Sequence, residues 1–130
     1  MKRVKVIGAG SIGNHLSHAA RRLSCAVDLC DLDVAALVRT KDMIYPDRYG
    51  QWDDGIGLFP SADAPVGNYD LICVGTPPDS HLPIALEALK EEPGAKEGLR
   101  CWRAKHALGW LLKGQFRRSV SAFWRGDKLE

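Results

Sequence analysis

The stretch Val6-Ile7-Gly8-Ala9-Gly10-Ser11-Ile12-Gly13 constrains this 130-residue chain more than any other. Before it, Arg3-Val4-Lys5-Val6-Ile7 alternates polar and apolar residues, as a strand entering a tight turn does. After it, Ile12, Leu16, Ala19, Ala20 and Leu23 recur at helical spacing. Three glycines in a GxGxxG pattern between a strand and a helix have separate tasks. Gly8 permits the tight turn. Gly10, without a Cβ, lets backbone approach a pyrophosphate. Gly13 lets the helix pack on the strand. The helix start then presents unpaired N–H groups and a partial positive charge to an anion. Gly8, Gly10, Ser11, Ile12 and Gly13 are the candidate phosphate loop, with the Ser11 hydroxyl a further donor.

The rest of the chain alternates in the same sense. Ala26–Asp31 reads as a second strand, and Asp33 is the natural N-cap of a second helix over residues 34–44. Residues 45–69 are polar and rich in Gly and Pro, with one short strand candidate over 55–59. Residues 70–74 form a near-continuous apolar run, the pattern of a strand covered on both faces. In residues 80–91, Leu82, Ala85, Leu86 and Leu89 make one stripe, with Asp79 or Ser80 to cap it and Pro83 in the first turn. This alternation predicts an α/β, Rossmann-like parallel sheet with helices on both faces, strand order 3-2-1-4, lacking the second half of such a sheet.

The second strand ends in Asp31, 18 residues past Gly13, where a carboxylate accepts hydrogen bonds from the adenosine ribose hydroxyls. It would repel a 2′-phosphate, and no arginine occurs within residues 31–37, so the reading favours NAD over NADP. Asp33 suits a helix cap better than a ribose contact. Thr76-Pro77-Pro78 follows the strand 70–74, and ligands of open α/β sheets lie beyond the carboxyl ends of the strands. The Thr76 hydroxyl and the loop, with Pro77 and Pro78, are expected to face the nicotinamide half of the cofactor. His81 is expected in the first helical turn beside it.

On these motifs, "GAGSIGNHL", Asp31 and "GTPPDSHLPIALEAL", residues 3–93 resemble the N-terminal domain of the Gfo/Idh/MocA oxidoreductases. Thr76, Pro77 and His81 match the family's Thr-Pro-Asn…His loop, and Pro78 stands where Asn is usual. The resemblance implies NAD(P)-dependent hydride transfer to or from a sugar-like or cyclitol hydroxyl. The family continues with a strand ending in Glu-Lys-Pro, whose lysine is catalytic, and with a substrate domain. Here "EEPGAKEGLRCWRAKHALGWLL" follows instead, and the context of Lys96 does not match. No catalytic residue is therefore assigned, and the chain is expected to bind its cofactor without turning over substrate by itself. The alternatives are a stand-alone nucleotide-sensing regulatory module and a remnant acting through protein contacts alone.

Composition bounds the remaining classes. A hydrophobic content of 45% with 26% charged residues is that of a globular domain. No apolar run reaches the ~20 residues of a membrane helix. Cys25, Cys30, Cys73 and Cys101 show neither a CxxC pair nor metal spacing, and a cytoplasmic protein is expected. His15 and His18, one turn apart, read as exposed helix histidines, so no metal site is assigned. Trp52-Asp53-Asp54-Gly55 reads as a turn. Residues 1–96 form the expected dinucleotide-binding domain and residues 97–130 a basic helical tail, which holds 8 of the 18 Lys+Arg but only 3 of the 16 Asp+Glu. A frame-shifted ending, an adaptor helix and a nucleic-acid contact compete for that tail, the last being the weakest. The tail or the open sheet edge is also where a homo-oligomer would form.

Overall fold

The computed structural model describes residues 1–77, 80, 83, 84 and 86–88. Pro78, His81 and the basic tail 97–130 lie outside the described residues. Within them the chain runs β1 (Arg3–Ile7), α1 (Ser11–Arg22), β2 (Ala26–Asp31), α2 (Val34–Arg39), a π-helical segment (Thr40–Ile44), α3 (Tyr45–Tyr49), β3 (Ile56–Pro60), a 3-10 turn (Ser61–Asp63) and β4 (Leu71–Val74). The four strands form one parallel sheet in the order β3-β2-β1-β4, as the alternation predicts. No helix among the described residues is long and apolar enough to cross a membrane.

Register explains where the core sits. Val4 pairs with Val27, Val6 with Leu29, and Cys73 with Val6. Side chains alternate across a strand, so these residues share one face. Leu16, Ala19 and Ala20 of α1 and Ala36 and Leu37 of α2 pack with them in one buried cluster. Burying a Val or Leu side chain contributes about 1.5–3 kcal/mol. The small residues at 19 and 20 let the helix approach the sheet closely.

The opposite face is less apolar than a covered parallel sheet predicts. Lys5 stands beside Asp28 in register, and Lys5 is buried. Arg3 donates to Asp28 Oδ2 at 3.1 Å and the Tyr69 hydroxyl donates to the same oxygen at 2.6 Å. The Lys5 ammonium lies 5.5 Å from the centre of the Tyr69 ring and donates to the Pro65 carbonyl. Burial and the Asp28 carboxylate push the Tyr69 hydroxyl's pKa upward. On this face Asp28 thus pairs with Arg3, and the loop 65–69 supplies hydrogen-bond partners to Asp28 and Lys5.

The helical run after β2 departs from expectation. It continues to Tyr49 although Pro46 interrupts it. In a regular helix the proline ring would press on the carbonyl four residues earlier and leave it without a donor. The π-helical segment Thr40–Ile44 widens the helix immediately before it, and Pro46 then falls in the first turn of α3. Gly50, at φ +92°, ends the run with its N–H on the Pro46 carbonyl. β3 begins one residue later than expected and carries Pro60 at its end.

Candidate functional site

The glycine loop is built from two glycines that the fold requires and one that it does not. Gly8 has φ +105°, and a Cβ there would lie 3.0 Å from both the Gly75 carbonyl carbon and Thr76 Cγ2. A Cβ on Gly13 would fall 1.7 Å from the Gly8 carbonyl oxygen, because the first turn of α1 rests on the end of β1. Gly10 differs. Its φ is an ordinary −89°, and a Cβ there would meet nothing within 4 Å. The protein itself leaves that space open, at the N-cap of α1, where no side chain caps the helix and no acidic residue occupies the first turn. A helix start of this kind can attract an anion, and a methyl group on residue 10 would reach into the open space.

Three side chains from elsewhere converge on the loop. Asn14 Nδ2 donates to the carbonyls of Gly10 (2.8 Å) and Ala9 (3.4 Å) and to Thr40 Oγ1 (3.1 Å). The Thr40 hydroxyl donates in turn to the Ala9 carbonyl at 3.0 Å. Both residues are fully buried, and Asn14 Oδ1 has no hydrogen-bond partner. From α3, Arg48 reaches the first turn of α1 and donates to the Ser11 carbonyl and hydroxyl, each at 2.9 Å. Ser11 itself is exposed, and Ile12 beside it is 37% exposed.

Asp31 closes the loop's other side. One carboxylate oxygen accepts the Ala9 N–H at 2.7 Å and the other accepts the Asp33 N–H at 2.8 Å. Asp33 caps α2 by accepting the Ala35 N–H, the cap that the sequence suggests. Each Asp31 oxygen has further lone pairs for a ligand's hydroxyls.

Gly8, Asp31 and Thr76 share the wall of a cavity of about 380 Å³ at the carboxyl ends of the strands. Ile7 and Cys30 form part of its inner wall. Leu32, Ser61 and Ala64 line it from the loops after β2 and β3, and Pro83, Ile84, Glu87 and Ala88 from the helical residues after β4. A few hundred cubic ångströms, mainly apolar with a few polar groups, suits part of a small ligand. The Thr76 hydroxyl accepts from Ser80 at 2.8 Å, and Ser80 also bonds the Pro77 carbonyl. The structure thus places Gly8, Asp31 and Thr76 on one cavity wall and Gly13 against Gly75, with Gly10, Ser11 and Ile12 at the adjoining helix start; Pro77 does not line the cavity, and Pro78 and His81 lie outside the described residues.

Sequence reasoning misses Asn14, Thr40 and Arg48. Asn14 is buried in α1, but in sequence it falls on the side of the helix opposite the stripe of Ile12, Leu16, Ala19, Ala20 and Leu23 and so gives no signal. Thr40 and Arg48 lie 26 and 37 residues from their partners, and nothing local marks them. His15 and His18 are corrected. They are half-buried rather than exposed. His18 stacks on Tyr49 with ring centres 3.7 Å apart and shares a hydrogen bond with the Tyr45 hydroxyl at 3.1 Å, while His15 Nδ1 meets the Tyr49 hydroxyl. Burial and the nearby Arg22 lower the His18 pKa, and burial lifts the Tyr45 pKa to about 12. Cys25, Cys30 and Cys73 are buried thiols, and burial raises the Cys73 pKa to about 12, as for inert core thiols. Asp53 forms the expected turn by accepting the Gly55 N–H, and it also binds Arg21 Nε at 2.9 Å.

No protein-family model and no curated protein matches the chain, so the geometry of the loop and its cavity carries the functional argument alone.

Proposed function

We propose that this chain binds an NAD-type dinucleotide. Its diphosphate lies over Gly10 and the start of α1, its adenosine enters the cavity beside Asp31, and its nicotinamide half extends toward Thr76 and Pro77. The observation that carries the reading is the open space at Gly10. Serine, aspartate or asparagine would cap this helix better, whereas glycine leaves free space at a position of ordinary φ. Asp31 supports the same reading, because it is fastened to the loop's own Ala9 amide and adds a negative charge where a ribose 2′-phosphate would go. NAD is therefore favoured over NADP.

When bound, the nicotinamide supplies hydride chemistry, and the resemblance to Gfo/Idh/MocA oxidoreductases suggests a sugar-like or cyclitol hydroxyl as the other reactant. The described residues offer binding and orientation. Calorimetric titration of the purified chain with NAD, NADH and NADP tests the reading. Saturable heat with NAD or NADH at micromolar to low-millimolar concentration, and weaker binding of NADP, is expected. A folded protein giving no heat with NAD or NADH would refute it.

A further inference from the structure

A phosphate loop works only if its amides point at the phosphate, and a short Gly-rich turn has many other ways to arrange them. In a trans peptide the carbonyl of one residue and the N–H of the next point in opposite directions. The Ala9 carbonyl is held inward by the Thr40 hydroxyl and Asn14 Nδ2, and the Gly10 carbonyl by Asn14 Nδ2 and the Asn14 N–H. Their peptide partners, the N–H groups of Gly10 and Ser11, are therefore turned away from the core, toward the open side at Gly10. Two side chains from different helical segments, both fully buried, thus fix two consecutive peptide planes.

The arrangement has a cost that packing does not explain. Asn14 Oδ1 is buried without a partner, and turning the amide over would place that oxygen against two carbonyls. An apolar residue at 14 would avoid the buried orphan but leave the Ala9 carbonyl to the Thr40 hydroxyl and the Gly10 carbonyl to the helix's own N–H. Thr40 is the first residue of the π-helical segment, and its hydroxyl goes to Ala9, 31 residues away, instead of to its own helix.

We infer that Asn14 and Thr40 are positioning residues for the diphosphate site, holding the Gly10 and Ser11 amides in the orientation that receives a phosphate. The inference rests on the proposed dinucleotide reading. It concerns only the phosphate-dependent part of the affinity, because neither residue lines the cavity proposed for the adenosine.

The test compares ADP with adenosine as calorimetric ligands of the full chain. Thr40→Val keeps the shape and removes the hydroxyl, and Thr40→Ser restores it. Thr40→Val is expected to weaken ADP about tenfold while leaving adenosine within about twofold, and Thr40→Ser is expected to recover most of the ADP affinity. A purely structural Thr40 would lower the melting temperature but leave the ratio of the two affinities unchanged, and that result overturns the inference. A measurement on the unaltered protein guards against a variant that fails to fold. In ¹⁵N–¹H spectra, ADP should move the Gly10 and Ser11 amide signals more than others in the loop, whereas adenosine should leave them in place. If ADP binds and those two signals stay still, the inference is wrong and the diphosphate does not lie over Gly10, although nucleotide binding itself stands. If the wild type binds neither ADP nor NAD, both fall together.

Discussion

The two halves of α1 use polar side chains in opposite ways. In the C-terminal half, His18 and Arg21 turn toward α3 and the turn at Asp53. His18 stacks on Tyr49, Tyr45 packs edge-on against Trp52, and Arg21 binds both Asp53 and the Cys25 carbonyl. Nearly every polar group there closes on another part of the protein. In the N-terminal half, the helix starts without a side-chain cap, Asn14 keeps an orphan oxygen, and Gly10 leaves open space. One end of the helix is completed by the fold. The other has the features of a surface awaiting an anion, and stability alone gives no reason for them.

That contrast breaks most sharply at the glycines. Gly13→Ala places a methyl group against the Gly8 carbonyl and is expected to cost about 3 kcal/mol or more, by forcing the helix from the sheet. A thermal melt superimposable on the wild type would contradict the packing described. Gly10→Ala should do the reverse. Its stability should change by less than about 1 kcal/mol, because alanine is the poorer N-cap but also the less flexible residue in the unfolded chain, while NAD affinity falls about tenfold or more. Unchanged affinity would show that the open space is accidental. Asp31→Asn removes the charge that opposes a 2′-phosphate, and should narrow the preference for NAD over NADP several-fold in competitive titration. Arg48→Gln leaves Ser11 in place but withdraws a cation from the start of α1. Its expected effect is smaller, about threefold on NAD, and it should vanish at high salt.

On the structural half the sharpest handle is acid. The hydrogen bond from Arg21 holds the Asp53 carboxyl below the usual carboxylate range. A carboxyl whose folded pKa is depressed stabilises the fold above its unfolded value. That stabilisation is lost as pH falls through the folded value. Asp53→Asn should therefore lower stability at neutral pH by about 1 kcal/mol or less and flatten the loss of stability on the acid side. Urea titrations at several pH values check this, and parallel wild-type and variant curves would contradict the assignment.

The sheet order was legible because strands and helices alternate with clear periods, and because Gly8, Gly13 and Asp31 stand at element ends. The continuation through Pro46 was not, since a proline in a polar stretch reads as a break unless a π turn precedes it. The charged face was hidden for a related reason. Lys5, Asp28 and Arg3 each look like surface residues until register puts Lys5 beside Asp28 and the loop at Tyr69 folds over them. In the site, the residues that would touch the ligand carry local motifs. Those that shape the loop, Asn14 and Thr40, work through long-range hydrogen bonds and leave no motif.

A crystal structure of the full chain grown with saturating NAD would test the central claim most directly. The account predicts the diphosphate against the Gly10 and Ser11 amides, with the adenosine ribose on Asp31 and the base in the cavity between Leu32 and Ile84. A dinucleotide bound elsewhere, or a glycine loop with no diphosphate on it under those conditions, would contradict it.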